Sequence, residues 1–339
     1  MRDGAEAKLW PLAALARLLA MGYGLGARLK NALYDRRILK ALEVPVPVVS
    51  VGNLTTGGTG KTPLVCLLAE AAQSAGRRPA ILTRGYRRNA ASGGEGDEVR
   101  LYRRLLPEVA VVVDADRVRG ARAAVRAGAD LLLLDDGFQH RRLSRQVDLV
   151  LADARDPFSG GRLLPHGLLR EPPGSLRRAT ALILTRAGRA TPAELEAAKA
   201  RALAEAPGLA LLLEDHVPEG LFDHAGNPGP PLERLSNLPV LAFSGIGDPN
   251  ALCESLLALR ADVRRAIDFG DHHEFAPEEL ERLREDAVRS GAELLVTTEK
   301  DLMRIDRWEG APALFALRIG ARFPRPADLK RLLGLAGLT

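Results

Sequence analysis

Three glycines, Gly57, Gly58 and Gly60, stand just ahead of Lys61-Thr62 in the run Val46–Thr62. Glycines at this spacing let backbone N–H groups turn inward around phosphate oxygens. A lysine there reaches the β- and γ-phosphates, and the threonine hydroxyl ligates Mg²⁺. Farther on, Leu131-Leu132-Leu133-Leu134 ends in Asp135-Asp136, hard oxygen donors that hold Mg²⁺ directly or through water. Two other places carry groups able to move a proton. Asp97 lies in Gly96-Asp97-Glu98, and His272 lies in Asp271-His272-His273. Taken alone, such an aspartate reads as surface and such a histidine pair as loop or cap residues. Together the phosphate and metal signals point to a nucleoside triphosphate and Mg²⁺, with phosphoryl transfer or hydrolysis as the chemistry.

These groups need elements to hold them. Val48–Val51 reads as a buried parallel strand that breaks at Gly52, and Leu64, Leu67 and Leu68 continue in helical spacing after Lys61. Strand, glycine loop, Lys-Thr and helix is the order of a P-loop, and the helix N-terminus adds its partial positive charge. Thr55, Thr56, Gly57, Gly58, Thr59, Gly60, Lys61 and Thr62 are therefore the expected ATP-binding residues, with Thr62, Asp135 and Asp136 at the Mg²⁺ site. Thr55 occupies the position where the usual spacing has a glycine. Thr56 stands where partition-type ATPases carry a lysine, which argues against that branch. Leu131–Leu134 reads as the companion strand that sets its aspartates beside the loop.

The remaining pattern is alternating strand and helix. Strands are expected at Ala80–Thr83, Val109–Val113, Val147–Ala152, Ala181–Thr185 and Leu209–Leu213, with helices at Arg117–Gly128 and Pro192–Ala206. Arg84-Gly85-Tyr86-Arg87-Arg88 follows a strand end, where α/β sheets collect ligands. It fits either a substrate anion or a solvated basic loop. Asn89–Glu98 is Gly-, Ser- and acid-rich and is expected to be a mobile loop. Leu163–Pro172 fits either the border of an acyl-chain site or a Pro-interrupted loop without special role. Val217–Pro239 is rich in Pro and Gly and reads as an inter-domain connection. A second βα series then begins at Val240–Ser244. The expected divisions are 1–40, an amphipathic helix region; 41–216, the P-loop core; 217–239, the connection; and 240–339, a smaller α/β domain closing over the nucleotide site.

Composition narrows the partners. At 339 residues and 46% apolar content the chain can bury two cores, and its net charge of +5 suits an anionic partner. Aromatics are 4%, too few for base-stacking platforms, and no recognition motif for nucleic acid is visible. Cys66 and Cys253 read as buried thiols of a reducing compartment. Leu9–Leu33 is apolar at helical spacing, but Arg17 and Arg28 interrupt it, so it should neither span a bilayer nor serve as a signal peptide. With Trp10, Tyr23, Tyr34 and several basic residues it suits the plane of an anionic membrane surface, and equally a helix packed on its own domain.

Val51–Pro63, Arg84-Gly85-Tyr86, Gly96-Asp97-Glu98, Asp135–His140, Leu169–Pro172, Asp271-His272-His273 and Thr298-Glu299-Lys300-Asp301 occur in that order. The ordered set resembles the tetraacyldisaccharide 4'-kinases of lipid A biosynthesis over nearly the whole chain. Arg87-Arg88, where small residues are common, and Val99, in place of a usual proline, depart from the pattern. The resemblance implies transfer of the ATP γ-phosphoryl to the 4'-hydroxyl of a tetraacyldisaccharide 1-phosphate. It implies a peripheral enzyme on the cytoplasmic face of the inner membrane. Lys61 would act on the transferring phosphate, Asp97 would be the base toward the sugar hydroxyl, and His272 its partner. Arg84, Gly85, Tyr86, Gln139, His140 and Arg170 are the substrate-side candidates. Without the resemblance, a soluble P-loop kinase or NTPase for a small polar substrate fits the same motifs. A monomer is expected.

Overall fold

The structure, a computed structural model, describes residues 3–85, 95–248 and 250–338, with side chains from residue 15. In chain order the elements are α1 (Asp3–Asp35), β1 (Val48–Asn53), α2 (Lys61–Ser74), β2 (Pro79–Thr83), α3 (Asp97–Leu105), β3 (Ala110–Val113) and α4 (Arg117–Arg126). Then come β4 (Leu131–Asp135), β5 (Val147–Asp153), β6 (Ala181–Thr185), α5 (Pro192–Glu205), β7 (Ala210–Leu213), β8 (Asp215–Phe222) and β9 (Pro239–Ser244). The chain finishes with α6 (Asn250–Ala258), β10 (Asp262–Asp268), α7 (Pro277–Ser290), β11 (Leu294–Thr298), α8 (Glu299–Leu302), β12 (Ala313–Arg322) and α9 (Pro326–Leu335).

The chain forms two compact units. The first contains residues 1–84, 112–215 and 323–339, and the second contains 85–111 and 216–322. The first is built on a seven-stranded sheet in the order β3-β2-β4-β1-β5-β6-β7, parallel in β2/β4, β4/β1, β1/β5, β5/β6 and β6/β7. Its two faces carry separate cores. One joins Val48, Leu82, Leu132 and Leu134 to Val118, Ala121 and Ala124 of α4. The other joins Val150, Leu182 and Leu184 to Leu54, Phe138, Leu176 and the Ala198/Ala202 stripe of α5. Strands covered on both faces must be apolar throughout, which is why β4 reads as four leucines. Each of these leucines is completely buried, worth about 2 kcal/mol apiece, and this pins the strand that delivers Asp135.

The second unit has a five-stranded mixed sheet, β10-β9-β11-β12-β8, parallel in β10/β9, β9/β11 and β11/β12. Phe243, Leu295, Leu302 and Ala316 form one core with Leu101 of α3, while Leu252 and Leu256 of α6 cover the other face with Val240, Ala242 and Val296.

This divides the chain differently from the expected boundaries. Residues 95–111 belong to the second unit rather than to the P-loop core because Leu101 and Leu105 bury themselves among its side chains. The tail returns to the first unit, where the Asp328 carboxylate accepts from the Leu213 N–H of edge strand β7 at 3.0 Å. The stretch expected as a connection contains strand β8, which keeps Pro218 because it lies at a sheet edge. Asp97 and Glu98, expected on a loop, open helix α3. Most of that expected loop, and Tyr86, Arg87 and Arg88, lie outside the described residues. Cys66 and Cys253 form no disulfide and are half-buried rather than buried.

Helix α1 docks on the first unit along one stripe. Ala20 is buried, the Cβ position of Gly24 lies 2.6 Å from Leu163 Cδ1, and Asn31 Nδ2 donates to Glu171 Oε2 at 2.6 Å. Tyr23 Oη donates to the Arg170 carbonyl, Lys30 Nζ to the Gln139 carbonyl, and Arg141 pairs with Asp35 at 2.7 Å. The other faces leave Leu15, Leu18, Leu19, Met21, Leu25 and Leu29 exposed. No helix among the described residues is long and apolar enough to cross a membrane.

Candidate active site

The glycine loop joins β1 to α2 at the C-terminal edge of the parallel sheet. Gly57 and Gly60 adopt φ of +114° and +85°, conformations that L side chains rarely take, and Gly60 caps α2. No described atom lies within 4 Å of the Cβ positions of Gly57 or Gly58. The loop is therefore exposed at its tip and tied down behind. Asn53 Nδ2 donates to Thr59 Oγ1 at 3.1 Å and to the Gly57 carbonyl at 3.4 Å. Arg186, at the end of β6, donates through Nη2 to the Gly58 carbonyl at 2.7 Å and through Nη1 to Asp153 Oδ2 at 2.9 Å. Thr55 is buried and bridges to Leu169, and Thr56 N–H donates to the Leu168 carbonyl at 2.8 Å. The Leu163–Pro172 stretch is thus fastened to the first turn of the loop. Beneath it, the Cβ position of Gly52 lies 2.6 Å from Phe138 Cβ, so only glycine lets the two strand ends approach.

Lys61 begins α2, and its Nζ lies 3.5 Å from Asp136 Oδ1. Asp135 ends β4 opposite Val51 and is buried, with its carbonyl accepting from Arg117 Nη2 at 3.4 Å. Asp136 turns away in the left-handed region (φ +51°) and receives Arg170 Nη1 on Oδ1 and Oδ2 at 2.8 and 2.7 Å. Burial works against charge on Asp136, but Lys61 and Arg170 outweigh it and hold the carboxyl below its ordinary range. Thr62 follows Lys61 in the first turn of α2 and is buried. The Thr62 hydroxyl and the Asp135 and Asp136 carboxylates are hard oxygen donors, the chemistry Mg²⁺ takes when it binds through one or two carboxylates and a substrate's phosphates.

Gln139 and His140 sit behind these groups. Gln139 Nε2 donates to the Asn53 carbonyl at 2.9 Å and so braces the loop. Burial, with Arg117, Arg145 and Lys30 nearby, pushes the His140 imidazole down to about 4, so it is neutral at physiological pH. Arg84 is exposed at the end of β2, and Gly85 follows with φ of +68°.

Asp97 and His272 belong to the second unit and meet there, with His272 Nδ1 3.5 Å from Asp97 Oδ2. Burial raises the Asp97 carboxyl, but His272 and Arg304 overcome it and hold the group below its ordinary range. Arg304 Nε reaches Asp97 Oδ2 at 2.6 Å, and the side chain is 2% exposed. Lys300 Nζ donates to Glu98 Oε1 at 2.9 Å, which joins α8 to α3.

Asn53, Arg186 and Arg304 are polar groups that a search for motifs passes over. Asn53 and Arg186 each close a strand, the place where sheet ligands gather. Arg304 stands three residues after Asp301, the spacing of a helical ion pair, and pairs with it at 2.9 Å.

Residues 12–336 match the sequence family described as Tetraacyldisaccharide-1-P 4'-kinase. A tetraacyldisaccharide 4'-kinase of Anaeromyxobacter dehalogenans (strain 2CP-C) is 43% identical over 354 aligned positions, covering 96% of this chain and 93% of that one. The one from Syntrophus aciditrophicus (strain SB) is 36% identical, covering 90% and 88%. Among solved structures, LpxK from Aquifex aeolicus in complex with ATP is similar, with a TM-score of 0.71 and 32% identity over 97% of this chain and 98% of that one. With the glycine cradle, the paired aspartates and a match over nearly its whole length, the chain belongs to the tetraacyldisaccharide 4'-kinase family.

Proposed function

We propose that this chain transfers the γ-phosphoryl of ATP to the 4'-hydroxyl of a tetraacyldisaccharide 1-phosphate, giving the 1,4'-bisphosphorylated lipid A precursor. The observation that carries the reading is the cradle of Gly57–Gly60 with Lys61 held 3.5 Å from Asp136, in a chain matched over residues 12–336 by this kinase family. Phosphoryl transfer asks chiefly for positioning and charge neutralisation. The loop N–H groups and Lys61 supply both for the triphosphate. Thr62, Asp135 and Asp136 would hold Mg²⁺, which neutralises phosphate charge when bound. Arg170 and Lys61 share Asp136, so the same three charges set where an anion and a cation can each settle.

The acceptor is a weakly acidic hydroxyl, so a carboxylate that takes its proton as the O–P bond forms lowers the barrier. Asp97, held ionised in the second unit, is assigned that role, and His272 is assigned as its partner. Arg84, Gly85, Tyr86 and Arg170 are assigned to the glycolipid side.

The substrate carries four acyl chains, so the enzyme must meet it at a lipid surface. The exposed leucines of α1, with Arg17, Arg28 and Lys30 along the same helix, support peripheral binding to an anionic bilayer, placed here at the cytoplasmic face of the inner membrane. Incubation of the purified chain with ATP, Mg²⁺ and the disaccharide lipid should raise the lipid's mass by one phosphate. A pure, folded preparation that leaves the lipid unchanged would overturn the reading.

A further inference from the structure

The Asp97 carboxylate is held by more than its histidine. Arg304 lies almost wholly inside the second unit, and each of its three side-chain nitrogens meets a partner. Nη1 donates to the Gly245 carbonyl and to Asp301 Oδ1, both at 2.9 Å. Asp301 is itself fully buried and fastened by Thr298 Oγ1 at 2.6 Å. Nε donates to Asp97 Oδ2 at 2.6 Å, and Nη2 lies 3.3 Å from His272 Nδ1. The Gly245 carbonyl also accepts the His272 N–H at 3.0 Å, which anchors His272 in its left-handed conformation (φ +63°). A Cβ at Gly245 would meet His273, Asp301 and the Gly270 carbonyl within 3.1–3.2 Å, so the shared anchor is closely packed on three sides.

One contact in this cluster is a choice. A guanidinium N–H only donates and a carboxylate only accepts. His272 Nδ1 faces one of each, Arg304 Nη2 at 3.3 Å and Asp97 Oδ2 at 3.5 Å. Without a proton, Nδ1 accepts from Arg304. With one, it donates to Asp97 and confronts a donor. Arg304 Nη2 therefore favours the tautomer with its proton on Nε2, against the pull of Asp97 on an Nδ1–H, and Arg304 Nε tethers Asp97 in either tautomer.

We propose that Arg304 is a positioning residue for the transfer: it pins Asp97 through Oδ2 and presents Oδ1 to the sugar hydroxyl, while fixing the His272 tautomer. This rests on Asp97 being the base. In the step, the hydroxyl O–H breaks toward Asp97 Oδ1, the new O–P bond forms, and the bond from the γ-phosphorus to ADP breaks. The charged groups around Asp97 are Glu98 and its partner Lys300, Asp301, Arg304, Asp271 beside the His272 ring at 3.8 Å, and His273 paired with Glu279. Removing Arg304 takes away the closest cation and leaves Asp301 and Asp271 in place. Protonation of Asp97 then becomes easier, and the acid limb of the pH profile moves upward.

The test compares wild type, Arg304→Met, Asp97→Asn and the double variant Arg304→Met/Asp301→Asn, which removes the buried pair together and so protects folding. The readouts are kcat, KM for ATP, the pH dependence of kcat/KM, and the ¹⁵N chemical shift of His272 Nδ1. The expected result for Arg304→Met is a fall in kcat of about 10- to 100-fold, KM for ATP within about twofold, and an acid limb raised by about one pH unit; the double variant, which also loses the Asp301 charge, should show the same fall in kcat with a smaller rise of the acid limb. The His272 Nδ1 signal should move from the unprotonated toward the protonated range. A double variant with wild-type kcat and an unmoved acid limb would show that Arg304 only balances Asp301, and would overturn the proposal. If Asp97→Asn is inactive while the Arg304 variants keep the wild-type profile, the base stands and Arg304 falls. If Asp97→Asn keeps wild-type kcat, the base reading falls, and this proposal with it.

Discussion

Replacing Glu214 by glutamine should make the first unit more stable at neutral pH and flatten its dependence on pH. Glu214 follows β7 and is 1% exposed, and burial, with Asp215 beside it, pushes its carboxyl up to about 8 against the attraction of Arg186. In the unfolded chain the same group releases its proton near the ordinary glutamate value. Between those two pH values the folded state binds more protons than the unfolded one, so stability falls as pH rises through the window from about 4.5 to about 8. The slope inside the window approaches about 1.4 kcal/mol per pH unit, and the cost accumulated by pH 7 is roughly 3 kcal/mol. Glutamine keeps the shape, has no proton to lose, and removes that slope. Urea unfolding followed by circular dichroism at pH 5, 6, 7 and 8 measures it: the two proteins should converge near pH 5, with the variant gaining steadily above it. Parallel curves across the window would refute the reasoning. A second consequence reaches the nucleotide. Arg186 holds the Gly58 carbonyl, and an ionised Glu214 competes for it, so KM for ATP should rise above pH 8 in wild type and stay level in Glu214→Gln.

Gly52→Ala forces a methyl group onto the Cβ and backbone nitrogen of Phe138, so unfolding measurements should show a loss of about 1–3 kcal/mol; a change within the error of the fit would mean that the strand ends can part freely. Lys61→Ala removes the cation assigned to the transferring phosphate and should lower kcat by at least about 100-fold without loss of fold, read from steady-state kinetics beside a melting curve. Leu18→Glu with Leu25→Glu places two charges on the exposed face of α1 and should weaken sedimentation with anionic vesicles at unchanged thermal stability; undiminished sedimentation would move the lipid contact elsewhere.

The first unit was largely legible because its strands are covered on both faces. Leu131–Leu134 and Ala181–Thr185 are apolar runs with no other plausible burial, and the glycine loop needs residue types that little else demands. The second unit was less so. Strand β10 lies at an edge, carries Arg264 and Arg265, and is half-exposed, so it lacks the alternation that marks a strand. Strand β8 hides behind Pro218 and Gly220. Membership of residues 95–111 in the second unit is a long-range fact, since Leu101 and Leu105 look the same whichever core receives them. Asp97 and His272 were named through resemblance, because their spacing of 175 residues carries no local signal. Arg304 was missed for the same reason: its partners come from α3, the end of β9 and the turn before α7, and only folding puts them around one guanidinium.

A glycine loop with Lys61 is proposed to deliver the γ-phosphoryl of ATP to a glycolipid hydroxyl that Asp97 deprotonates. Single-turnover transfer of labelled γ-phosphoryl to the disaccharide lipid, with ATP saturating and Mg²⁺ present, tests it most directly. Wild type should place label rapidly at the 4' position, and Lys61→Ala and Asp97→Asn should place little. Wild type that consumes ATP yet leaves the lipid unlabelled, or an Asp97→Asn protein that labels it at the wild-type rate, would contradict it.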